Sequence, residues 1–179
     1  AVYNTDYVPA EEVAPKNILA NRPFVTSENA AHTDMNSGYN WCAENLINGN
    51  RYDMVTSSAN DGMHYGQFAG FHSNVAMPSS IDYTITLEEG SKLNQVVIYP
   101  STSKYSFDNP GEFFVPANYA FKISDDGETW TTIYETTNGT ITEYAPIVID
   151  LDEVYTANYF RFSMMNLTDY VKITELEAY

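Results

Sequence analysis

With 179 residues, the chain has room for one well-cored domain and a tail. Its 15% aromatic and 18% charged residues suit an aromatic-rich β protein better than a coiled coil or a disordered chain. A formal net charge of −16, with no Lys or Arg from Tyr52 to Ser91, argues against nucleic acid and anionic membranes as partners, since both need basic patches.

Residues 1–16 mix Pro, Ala and acids without periodicity and read as a linker or N-terminal tail, leaving 17–179 as the domain. A first strand is expected over Asn17–Val25, followed by a polar loop over Thr26–Trp41. Asn45 to Asp53 gathers side-chain oxygens at Asn45, Asn48, Asn50 and Asp53 around Gly49. That density of oxygens suits a hard cation such as Ca²⁺, though from spacing alone a plain Asx-rich turn accounts for it better. Thr56–Ser80 is a long irregular segment carrying His64, Phe68 and His72. Loops of that length in a compact domain are usually functional or mobile.

Ile81–Leu87 alternates apolar and polar residues, as a half-buried strand does. Glu89-Gly90 is expected to turn the chain into a second strand, Leu93–Tyr99, whose Val96-Val97-Ile98 run suits a sandwich core. A second long loop, Pro100–Pro116, carries Lys104, Phe107, Asn109 and Phe114. Asn118–Ser124 and Thr129–Tyr134 flank Asp125-Asp126-Gly127-Glu128, a strong hairpin signal. Ile141–Leu151, Asn158–Met164 and Val171–Tyr179 bring the total to about eight strands. No stretch holds a helical period, so the expected fold is all-β, an antiparallel jelly-roll sandwich.

No catalytic constellation stands out. The chain lacks a Gly-x-Ser-x-Gly elbow, a His-Glu-x-x-His pair and a phosphate-cradling glycine loop, and it does not read as an enzyme. The lone Cys42 excludes an internal disulfide and is compatible with a bacterial secreted protein that does without them. No run is apolar enough to cross a bilayer as a helix, and no membrane insertion is expected.

Five segments occur in a telling order: Asn-Leu-Ile-Asn-Gly-Asn (45–50), Leu-Asn-Gln-Val-Val-Ile-Tyr-Pro (93–100), Ser-Asp-Asp-Gly-Glu-Thr-Trp (124–130), Asn-Tyr-Phe-Arg-Phe (158–162) and Glu-Leu-Glu-Ala-Tyr (175–179). Together they resemble the discoidin-like (coagulation factor 5/8 type C) domains, and among those the family 32 carbohydrate-binding modules. The resemblance implies a galactose-binding-domain-like jelly roll with a structural Ca²⁺ and a shallow sugar site on loops at one end. The ion would take the carbonyl of Asn45, side-chain oxygens of Asn48, Asn50 and Asp53, and Thr174 (carbonyl) with Glu175 from the last strand. The family usually has an acid where this chain has Asn48 and a small hydroxyl residue at Asp53, so one carboxylate moves five residues along. Alternation puts Glu177 on the face of Glu175, and the two remain alternatives.

For the sugar, the resemblance offers Tyr39, Phe68, Phe107, Phe114 and Tyr170 as aromatic platforms, and His64, His72, Lys104 and Asn109 as polar partners. The family's galactose binders usually place an arginine where this chain has Ser101. The implied role is a non-catalytic, monomeric module of a larger multidomain protein, secreted or at the cell surface and of bacterial type. It would target an attached enzyme or adhesin to terminal sugars of glycans. The alternative is an adhesion domain that recognises a protein partner.

Overall fold

The computed structural model describes residues 15–27, 43–49, 51, 54–56, 64–66, 69–71, 80–100, 115–139, 145–167 and 171–179. Among the described residues nine strands run in chain order: β1 Phe24–Thr26, β2 Met54–Thr56, β3 His64–Gly66, β4 Ala69–Phe71, β5 Ser80–Pro100, β6 Asn118–Ser124, β7 Thr131–Thr136, β8 Ile147–Met165 and β9 Val171–Ala178. A short 3₁₀ turn, Ala43–Ile47, precedes β2. Seven strands form one antiparallel sheet in the order β4-β9-β5-β8-β6-β7, with β1 on β5, while β2 and β3 make a separate ribbon. The expected antiparallel all-β architecture is therefore present.

The sheet doubles back on itself because its two longest strands bend together. Residues 80–86 of β5 pair with 159–165 of β8, and 95–98 pair with 147–150. The first half of β5 and the second half of β8 also hold β1, β6 and β7, and the second half of β5 holds β9 and, beyond it, β4. The two halves make the layers of a sandwich over one core. The expected turn at Glu89-Gly90 is instead a bend inside β5. Gly90 takes φ of 69° there, and its N–H donates to Asn158 Oδ1 at 3.0 Å, so the strand turns a corner rather than reversing. The two strands expected at 141–151 and 158–164 are likewise one bent strand, Ile147–Met165. At the N-terminus the first strand is shorter than expected, and residues 15–23 run as turns and irregular chain.

Alternation fills the core. Ile81, Tyr83, Ile85 and Leu87 point inward from β5, facing Met164, Phe162 and Phe160 across the register and then Tyr119, Phe121 and Ile123 of β6. Phe121 lies 5.5 Å from Phe162, 5.6 Å from Phe160 and 5.6 Å from Tyr134 between ring centroids. Such pairs add to the area term of burial, which itself is worth roughly 1.5–3 kcal/mol per large side chain. On the outer face, Arg161 lays its guanidinium 3.8 Å over the Trp130 ring and donates from Nε to Thr84 Oγ1 at 2.9 Å. That contact joins two of the sequence segments that carried the resemblance.

Candidate functional site

Two places in this frame can carry function. One is the contact between the 43–51 segment and the last strand. The 3₁₀ turn buries Leu46 and Ile47 in the core, and the Ile47 carbonyl accepts from Asn21 N at 2.6 Å. The buried turn brings Asn45 into the protein, 5% exposed, with Asn48 Nδ2 at 3.4 Å from its Oδ1. Gly49 then adopts φ of 88°, a left-handed conformation that glycine takes without strain, and its N–H donates to Glu175 Oε1 at 3.0 Å.

β9 supplies the other wall. A register shift opposite Tyr99 and Pro100 leaves Thr174 as the extra residue, and its hydroxyl donates to the Tyr99 carbonyl at 3.1 Å. Glu175 is fully buried, as are Leu176 and Ala178. Two residues on, Glu177 accepts from Arg51 Nε at 2.7 Å and Nη2 at 2.8 Å, and from the Tyr179 hydroxyl at 2.6 Å. Arg51 also stands 5.0 Å over the Tyr99 ring. Its hydrogen bond to Glu177 holds the guanidinium well above its ordinary pKa. Burial, then the Glu177 charge, pushes the Tyr99 hydroxyl up to about 12.

Glu175 and Glu177 thus share one face, as alternation expected, yet they do different work. Glu177 is taken up by Arg51 and Tyr179, while Glu175 reaches the segment beside Asn48. The structure brings together Asn45, Asn48 and Glu175 with Thr174 alongside; Asn50 and Asp53 lie outside the described residues. Hard oxygen donors from amides and one buried carboxylate fit a hard divalent cation by donor chemistry. Among the described residues no three His, Cys, Asp or Glu side chains gather as a metal cluster. Sequence reasoning missed Arg51 and Tyr179 as partners of Glu177, and the only available signal was the matching two-residue spacing of 49 with 51 and 175 with 177.

The second place is one end of the sandwich. Ser80, Met165 and Asn118 lie side by side there on one half, and Val171 with Phe71, and Pro100 with Ile173, close the other. Segments 72–79, 101–114 and 166–170 connect these strand ends, and segment 28–42 leaves beside Asp82, whose carbonyl accepts from Ser27 N at 3.0 Å. Tyr39, His72, Lys104, Phe107, Asn109, Phe114 and Tyr170 fall within those connections and outside the described residues. Phe68 is outside them too, on the link from β3 to β4. His64 begins β3, with Thr56 as its register partner.

The F5/8 type C domain family matches residues 26–176. The chain belongs to that family. Solved structures of similar fold include the Clostridium perfringens module CpGH89CBM32-5 in complex with GalNAc-β-1,3-galactose, at a TM-score of 0.62 and 13% identity, covering 87% of this chain and 94% of that one. The family 32 module of C. perfringens NanJ, in complex with galactose, matches at 0.58 and 15% identity over 87% and 92%. Chitosan-binding module 2 of a Paenibacillus sp. IK-5 chitosanase/glucanase, in complex with chitotriose, matches at 0.56 and 19% identity over 91% and 99%. No curated protein sequence matches the chain.

Proposed function

We propose that this F5/8 type C domain is a non-catalytic carbohydrate-binding module. The observation that carries the reading is the sandwich end where four connecting segments meet strand ends from both halves. Those segments hold seven of the nine candidate sugar contacts, and sites on loops over a rigid sheet are where recognition usually resides. The neighbours in complex with galactose, GalNAc-β-1,3-galactose and chitotriose support the same reading. An aromatic platform takes the apolar face of a pyranose while a few side chains bond its hydroxyls. The four segments contain Glu28, Asp34, Asp108, Glu112 and Asp169 against Lys104 as their one cation. That balance favours neutral or amine-bearing glycans over sialylated or sulfated ones.

A structural Ca²⁺ belongs to the same proposal, held by Asn45, Asn48, Asn50, Asp53, Thr174 and Glu175. When bound, it supplies charge to neutralise the buried Glu175 carboxylate. The residues themselves fix the 43–51 segment against β9 through Gly49 and Arg51. The module sits outside the cell, as one part of a bacterial multidomain protein, and raises the local concentration of its attached enzyme or adhesin on glycans.

The deciding experiment is a glycan array with Ca²⁺ and again with a chelator. Binding to a terminal sugar that is lost in Tyr170→Ala or Phe107→Ala is the expected result. A blank array under both conditions rejects the sugar reading and turns attention to a protein partner. Binding intact but melting lowered in chelator assigns the ion a structural role.

A further inference from the structure

Two Asn-Gly bonds lie in the described chain, Asn48-Gly49 and Asn138-Gly139. An Asn-Gly bond is chemically labile because no Cβ screens the glycine nitrogen from the preceding side chain. That nitrogen can add to the Asn Cγ, forming an N–Cγ bond as the Cγ–Nδ2 bond breaks and the amide leaves as ammonia. Water then opens the resulting five-membered imide at either carbonyl, giving Asp or its β-linked isomer. The net change consumes one water, releases one ammonia and turns a neutral amide into a carboxylate.

The fold treats the two bonds differently. Gly139 is wedged: its N–H donates to the Ala117 carbonyl at 2.8 Å. A Cβ built on it would lie 2.5 Å from the Tyr119 ring and 3.1 Å from the Pro116 carbonyl. Tyr119 is a core side chain, 2% exposed, so that nitrogen is released only when the end of β6 opens. Gly49 is exposed, with nothing within 4 Å of an added Cβ, and its N–H is held by a side-chain acceptor, Glu175 Oε1 at 3.0 Å. A side-chain acceptor lets go with a small local opening, whereas a backbone acceptor beside a strand end requires a larger one.

We propose that Asn48 is a self-modification site of this protein, gated by the hydrogen bond from Gly49 N–H to Glu175. While the bond is made, the nitrogen is held in place and cannot swing onto the Asn48 Cγ. When the segment parts from β9, the reaction proceeds. The product adds one negative charge to the stretch that faces Glu175, beside Asn45. The inference is independent of the sugar reading, and its test is run in chelator, because the proposed ion would share Asn48 and Glu175.

The test follows both asparagines by peptide mass spectrometry while folded protein stands at mildly alkaline pH, with a sample in denaturant alongside. In the folded protein Asn48 is expected to react at least about tenfold faster than Asn138, reflecting a difference in local opening free energy. In denaturant the two rates converge. Glu175→Ala is expected to bring the Asn48 rate close to its denatured value while Asn138 stays slow, the latter showing that the fold is intact. Equal rates at the two sites in folded protein overturn the proposal, and so does a Glu175→Ala variant with slow Asn138 and an unchanged Asn48. Should that variant unfold, hydrogen exchange at the Gly49 amide of the wild type decides. Protection that is lost in step with Asn48 modification supports the gate, and an unprotected amide overturns it.

Discussion

Glu177 has both carboxylate oxygens in use, so Arg51 is the residue whose loss the last strand should feel most. Replacing Arg51 by Met leaves a carboxylate with 4% side-chain exposure facing the hydroxyls of Tyr179 and Tyr99 but no cation. A fully buried pair broken in this way costs about 3–5 kcal/mol, but the Arg51 side chain is 44% exposed and solvent reduces the effect. The expected loss is about 2 kcal/mol in urea unfolding, and Arg51→Met with Glu177→Gln should cost less than the two single changes added together. A strictly additive double mutant would show that the pair does not act as a unit. The face shared by Glu175 and Glu177 was legible in the sequence from a period of two. Their division of labour was not, because Gly49 and Arg51 lie 126 residues from the acids they hold, and a shared two-residue spacing does not say which acid each takes.

The β6–β7 hairpin shows local chemistry that a sequence states almost in full. Asp126 Oδ1 accepts from Thr129 N at 2.7 Å, Glu128 N at 2.8 Å and Ser124 Oγ at 2.9 Å, and these bonds hold its carboxyl well below the usual range. A carboxyl lowered by folding stabilises the protein above its unfolded pKa of about 3.9, and that stabilisation is lost as pH falls through and below this value. Asp126→Ala should therefore be destabilised near neutrality, and its deficit against wild type should shrink on acidification. A deficit constant with pH would mean that the charge is not what matters. At the other end of the hairpin, Gly139→Ala must push its methyl into the Tyr119 ring and the Pro116 carbonyl, with a cost of about 1–3 kcal/mol in chemical denaturation. The strand at Ile81–Leu87 and the turn at Asp126-Gly127 were readable because each depends on neighbours in sequence. The bend at Gly90 was not. A glycine between two apolar runs signals a change of direction, but whether the chain reverses or turns a corner is decided by β8 bending beside it.

For the whole molecule, charge is the property that discriminates among ligands. The net charge of −16 acts over distances that single contacts do not reach, and the connecting segments at the sandwich end carry the same sign. A glycan bearing free amines should therefore gain from long-range attraction, and one bearing sulfates or sialic acid should be repelled. Attraction of this kind is screened once the Debye length falls below the span of the surface charges, about 10 Å at 0.1 M salt and 3 Å at 1 M. Titration calorimetry with a glucosamine oligomer should show affinity falling as sodium chloride is raised, while a neutral galactoside keeps its affinity across the same series. N-acetylating the oligomer removes the cation and should remove the salt dependence with it. Lys104→Ala separates this field from a local contact. If the field dominates, loss of the one cation in those segments leaves binding of the amine-bearing oligomer unchanged or tighter; if Lys104 bonds the sugar directly, binding weakens at every salt concentration. Tighter binding of a sialylated or sulfated glycan than of its neutral counterpart would show that the sandwich end does not feel the charge of the molecule around it.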